Sequence, residues 1–160
     1  MSNIILENLL FGGSGKQIRF TTEAATGIAF GIAGAALRGW CYRELGKYFT
    51  FEMCIMKDHS LVKTGPYEIV RHPSYTATFM INVSIYLLWA TRGSWVRESG
   101  LLNHLPGRII TGIFVTMLAI GPLGVMRRMK DEDEALRKRF GVEWDMWASK
   151  VRYMMIPGVF

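Results

Sequence analysis

Arg71 and His72 stand directly before Pro73 in the stretch KTGPYEIVRHPSY, residues 63 to 75, and a long uncharged run follows at once. Proline suits the first position of a helix and pushes the residue before it toward an extended conformation, so a helix is predicted to open at Pro73. An arginine, a histidine and the unpaired backbone donors of a helix N-terminus then meet at one point. Such a terminus attracts anions, and a carboxylate is the natural guest. The competing reading gives Arg71 and His72 no ligand and makes them anchors of a helix in lipid headgroups. TGPY, just upstream, reads as a turn in which Pro66 fixes one dihedral and Gly65 offers a permissive one.

A second polar cluster, RRMKDEDEALRKRFGVEWDMW, occupies residues 127 to 147. As a helix it puts Arg128, Glu132 and Leu136 on one face, four residues apart. An arginine with a carboxylate one turn on could hold one anionic and one cationic or hydroxylated ligand side by side. Ordinary ion pairs on a solvated face suit Lys130, Asp131, Asp133, Arg137 and Lys138. Gly141 is expected to end this helix, and Trp144 and Trp147 to lie near a membrane interface, where tryptophan is common.

The elements that must position these clusters are apolar. Half of the 160 residues are hydrophobic and mean hydropathy is +0.18. Residues 73 to 91 and 109 to 126 carry no charge, and each run is close to the ~20 residues that a transmembrane helix needs. A third run, 24 to 37, spans if Glu23 and Arg38 reach water from the two interfaces. The predicted fold is therefore all-α, a polytopic membrane bundle with about three spans (22–42, 73–91 and 109–126) and a C-terminal cytosolic or interfacial helix. The whole chain, 1–160, reads as one integral membrane domain.

The net charge is +6, but its placement argues against nucleic acid. Of the 19 Lys and Arg residues, five fall in 43–72 and eight in 127–160, against three in 92–108. Those two richer segments share one side of a three-span bundle, and the positive-inside bias makes that side the cytosol. No nucleic-acid reading motif accompanies the charge, and anionic headgroups account for most of it.

The first twenty residues lack the basic stretch and cleavage site of a signal peptide. Cys41 and Cys54 have no metal-ligand spacing and would face a reducing compartment, so neither a disulfide nor a metal site is expected. GGSG, residues 12 to 15, reads as a flexible joint. Gly27 and Gly31, one turn apart in an apolar run, form the small-residue face that lets membrane helices approach closely.

Taken in order, HSLVKTGPYEIVRHPSY (59–75) and EDEALRKRFGVEWDMWASKVRYMMIP (132–157), with LGKYFTFE (45–52), resemble the isoprenylcysteine carboxyl methyltransferase family. They match its H-x-L-V, G-x-Y, R-H-P-S-Y and E-x-x-x-L-x-x-x-F-G-x-E-Y/W patterns, in the manner of a short, fungal-type member. The resemblance implies an integral membrane enzyme of the endoplasmic reticulum, its active site facing the cytosol. It would use S-adenosyl-L-methionine to methylate the C-terminal carboxylate of a prenylated cysteine in partner proteins. It implies catalytic segments at 52–75 and 127–157. His59, Leu61, Val62, Tyr67, His72, Pro73, Ser74, Tyr75 and Glu132 would bind the methyl donor, and Arg128 would face the substrate carboxylate. Ala77 stands where family members commonly carry a glycine.

The chemistry suits these residues. A C-terminal carboxylate, with a pKa of ~3.5, is already ionised at neutral pH and needs no general base. What remains is in-line placement and removal of water. A related methyltransferase of another lipid or small acceptor, an NADPH-dependent sterol-type reductase, and a catalytically silent shortened membrane protein are the competing readings.

Overall fold

A computed structural model describes residues 10–48 and 60–159 of the chain. Its regular elements are all helical: α1 (Thr22–Leu45), α2 (Pro73–Ala90), the single turn α3 (Trp95–Glu98), α4 (Leu105–Phe140) and α5 (Val142–Lys150), with short 3-10 turns between them. No strand occurs among the described residues.

Local chemistry explains where the helices start and stop. Thr21 Oγ1 accepts from the backbone N–H of Ala24 at 3.2 Å and caps α1, whose first turn carries Glu23. Gly46 adopts φ +50°, a left-handed conformation that ends α1. Proline opens α2, as the sequence predicts. Gly141, at φ +53°, separates α4 from α5, again as predicted.

Among the described residues one helix, Leu105–Phe140, is long and apolar enough to cross a membrane. Arg38 interrupts the apolar surface of α1, and α2 contains Ser74, Thr76, Thr78, Asn82 and Ser84. The predicted break between a span ending at 126 and a separate polar helix is not observed. α4 runs on for 36 residues through both segments, with Pro122 inside it. The charge change at Arg127 alters the medium that a helix face prefers, whereas Glu, Ala, Leu, Arg and Lys beyond it all favour helix, so the backbone has no reason to stop.

The described residues form two compact units. One combines residues up to Ile32 with Met80–Gly121; the other combines Ala33–Phe79 with the chain from Pro122 onward.

In the first unit Gly27 and Gly31 pack against α2, as expected of a small-residue face. A Cβ on Gly27 would lie 3.1 Å from Leu87 Cβ, and one on Gly31 would lie 2.8 Å from Ser84 Oγ. Trp89 of α2 stacks on Phe114 of α4 with ring centroids 4.3 Å apart. The GGSG stretch is not a loose joint. The backbone N–H groups of Phe11 and Gly13 both donate to the carbonyl of fully buried Ser99, and that of Ser14 donates to Glu98. A Cβ on Gly13 would collide with the Glu98 carbonyl oxygen, so glycine here permits a close backbone approach.

In the second unit the core consists of Cys41, Leu61, Tyr67, Trp144, Trp147 and Val151, flanked by Leu37, Val62, Leu136 and Phe140. The two indoles expected at an interface are therefore core residues, 8% and 7% exposed. Val142 and Met146, at 72% and 59%, are the exposed apolar residues of α5 instead.

Candidate functional site

The candidate site lies within the second unit, where segment 61–75 meets the charged part of α4. Leu61 and Val62 enter the core, Leu61 buried and Val62 half-buried, and so form apolar wall. The TGPY turn is a 3-10 helix, Gly65–Glu68, opened by Gly65 at φ +61°. Glu44 clamps that turn. It accepts from Thr64 Oγ1 at 2.7 Å and from Trp40 Nε1 at 3.0 Å, and these two bonds hold its carboxyl below the ordinary glutamate value.

Tyr67 is consequently fixed inside the core together with Cys41. Burial holds the Tyr67 hydroxyl well above the ordinary tyrosine value, and the neighbouring Cys41 and Glu132 add to the shift. Tyr67 stays a neutral phenol over the whole physiological range.

Arg71 and His72 are held by backbone and side chain together. Their N–H groups donate to the carbonyls of Tyr153 and Met154 at 2.9 and 2.8 Å, and Thr76 Oγ1 donates to the carbonyl of Met155 at 2.8 Å. Pro73 is fully buried, Ala77 is 0% exposed, and Ser74 is half-buried with its carbonyl accepting from Thr78 Oγ1 at 3.0 Å.

A carboxylate of the chain itself meets Arg71 and His72. Arg71 Nη1 lies 3.2 Å from Asp133 Oδ2, and buried His72 places Nε2 3.1 Å from Asp133 Oδ1. The Arg71 guanidinium also sits over the Trp144 ring at 5.8 Å. Asp133 is thus not on a solvated face: its side chain is 13% exposed. Its periodicity could have shown this, because Met129, Asp133, Leu136 and Phe140 repeat at helical spacing and Met129 is fully buried. The outward face is solvated as expected, with exposed pairs Lys138–Glu134 at 2.6 Å and Arg137–Asp145 at 2.8 Å.

In the first turn of α2 the Tyr75 hydroxyl donates to Glu132 Oε2 at 2.9 Å, and Arg128 lies within electrostatic reach of the same hydroxyl. Tyr75, Arg128 and Glu132, read from two separate motifs, are thereby brought together, with Tyr67 within electrostatic reach of Glu132. His72 goes to Asp133 rather than to Glu132. His59 lies outside the described residues. Among those described, no three His, Cys, Asp or Glu side chains form a metal-binding group. A cleft of about 550 Å³ in the same unit is lined by Lys63, Glu68, Glu143, Met146 and Trp147 among others; Glu143 is the glutamate of the F-G-x-E pattern, but none of them is among the donor- or substrate-binding residues that the resemblance implies. Volume and chemistry thus point to different places, and the convergence of Arg128, Glu132 and two tyrosines is the better guide to reactivity.

The model of the Isoprenylcysteine carboxyl methyltransferase (ICMT) family matches residues 27–97. The match supports the family suggested by the motifs and covers Leu61 to Tyr75, while Arg128 and Glu132 lie beyond it. No curated protein and no solved structure matches the chain.

Proposed function

We propose that the chain transfers a methyl group from S-adenosyl-L-methionine to the C-terminal carboxylate of a prenylated cysteine. The observation that carries this reading is the meeting of Tyr75, inside the family-matched region, with Glu132 and Arg128 outside it. Two independent stretches of sequence supply one polar cluster.

The donor set suits the cofactor. Glu132 offers a carboxylate to ribose hydroxyls or an ammonium group, Tyr67 and Tyr75 offer rings, and Leu61 and Val62 supply apolar wall. The bound cofactor supplies an electrophilic sulfonium methyl group. This chain's residues orient the partners: Arg128, exposed on α4, would present a planar fork to the acceptor carboxylate. No proton has to be removed from an acceptor already ionised at neutral pH. Mutually paired Tyr75 and Glu132 need no further activation.

In this reading α1 and α2 cross the bilayer with α4, giving three spans, and the whole chain works as one domain in the endoplasmic reticulum membrane. The glycine-mediated contact of α1 with α2 supports that arrangement. The basic segments 43–72 and 127–160 then face the cytosol, where prenylated proteins are met. The decisive assay is radiolabelled methyl transfer to farnesylcysteine analogues in membranes holding the chain, alongside calorimetric titration with S-adenosylhomocysteine and NADPH in detergent. Transfer with saturable S-adenosylhomocysteine binding is expected. NADPH binding in its place would sink the reading in favour of a reductase, and no binding of either would leave a silent membrane protein.

A further inference from the structure

We propose that Asp133 is a positioning residue for the donor site: it aligns Tyr75 with Glu132 by holding Arg71 and His72. The inference rests on the methyl-donor reading above and adds a residue which that reading does not use.

Adjacent carboxylates on α4 take adjacent groups at the start of α2. Glu132 takes the Tyr75 hydroxyl at 2.9 Å, and Asp133 takes Arg71 and His72 at 3.2 and 3.1 Å, one partner on each oxygen. Consecutive helix positions are about 100° apart around the axis, so Asp133 faces inward beside fully buried Met129 while Glu132 points toward Tyr75. The His72 and Tyr75 rings lie 5.7 Å apart, which joins the two contacts into one unit.

The other face of this unit is already fixed. Backbone bonds from Arg71 and His72 to Tyr153 and Met154, and the Thr76 bond to Met155, tie the helix start to the C-terminal segment. Asp133 is the group that ties Arg71 and His72 to α4, beside the Tyr75–Glu132 bond. Without that tie Tyr75 keeps its place on α2, but Glu132 is no longer presented to it at a fixed height and angle. A carboxylate in this position therefore acts through Glu132 and touches neither donor nor acceptor.

The test is a double-mutant cycle between Asp133→Asn and Tyr75→Phe in the full-length protein in detergent, read by S-adenosylhomocysteine affinity and by thermal midpoint. Asp133→Asn is expected to weaken binding by about tenfold. In the Tyr75→Phe background the same change should cost no more than about twofold, since the contact it aligns is already gone. A merely structural Asp133 lowers the midpoint and costs the same affinity in both backgrounds, which would overturn the proposal. Equal binding by parent and Asp133→Asn overturns it too, and in both cases the donor reading stands. A parent that binds no S-adenosylhomocysteine removes the donor reading and this inference with it. Should Asp133→Asn fail to fold, Asp133→Glu takes its place in the cycle; it keeps the charge and displaces it by one methylene, and the absence of coupling to Tyr75 would be equally fatal.

Discussion

Gly27 and Gly31 join α1 to α2 by leaving atoms out, whereas Glu132 and Asp133 join α2 to α4 by putting charge in. The first contact depends on shape. Ser84, Leu87 and Leu88 occupy the space that two missing side chains provide, and any added Cβ meets them. The second depends on partners. Two carboxylates sit among a buried histidine, a half-buried arginine and a tyrosine, so removing one group leaves another without compensation. The glycine contact should therefore answer to side-chain volume and not to charge, and the carboxylate contact to charge and geometry at constant volume.

The largest effect is expected where geometry alone changes. Arg128→Lys keeps the positive charge and loses the planar fork, and methyl transfer should fall on the order of 100-fold. Donor affinity should stay within about twofold of the parent, since a carboxylate of the acceptor is the proposed guest. Rapid-quench transfer assays beside S-adenosylhomocysteine titration make the comparison, and parent-like turnover would remove Arg128 from the site.

Volume is the next lever. Gly31→Val forces new atoms against Ser84 and should cost about 1–3 kcal/mol of stability. Binding of S-adenosylhomocysteine per folded molecule should not change. A loss of affinity in molecules that remain folded would show that shape and charge are not separable in this chain.

Charge at constant volume comes third. Glu132→Gln should weaken S-adenosylhomocysteine by about tenfold, about 1.4 kcal/mol, with little change in thermal midpoint. Should the midpoint fall while affinity holds, Glu132 is a structural partner of Tyr75 and no ligand.

The smallest effect belongs to the solvated face of α4. Lys138, by hydrogen bond and charge, holds the Glu134 carboxyl below its ordinary value near 4.5. A lowered carboxyl adds stability that is complete above the ordinary value and is lost as pH falls through the lowered one. Glu134→Gln should consequently leave the thermal midpoint at pH 7 nearly unmoved and abolish only a slight acid-side slope. A marked drop at neutral pH would mean that this face, too, carries structure.

The sequence announced the features that depend on one or two residues and missed those that depend on distant backbone. Pro73 fixes a dihedral and Gly65 and Gly141 permit ones that other residues avoid, and the helix start, turn and helix stop were legible from them. The packing of Gly27 and Gly31 was legible because two missing side chains one turn apart mark a helix face by themselves. GGSG looked loose because nothing local reveals that its N–H groups pair with Ser99 and Glu98 some eighty residues away. Asp133 was hidden in a run of charges, where the apolar period of Met129, Leu136 and Phe140 is the weaker signal. Trp144 and Trp147 were placed at an interface by their type, yet α5 turns them into the core and exposes Val142 and Met146.

The unbroken passage of α4 from its apolar stretch into Arg128 and Glu132 makes the helix a depth gauge. These residues follow Met126 by two and six positions, about 3 and 9 Å along the axis at 1.5 Å per residue. With the apolar stretch seated in hydrocarbon, bilayer thickness sets how far the guanidinium stands above the lipid boundary. The prenyl chain of the proposed substrate, dissolved in that same bilayer, would present its terminal carboxylate at a height set by the same boundary. On the proposed function enzyme and substrate would be levelled by one surface, and a membrane of another thickness would move the guanidinium relative to the carboxylate.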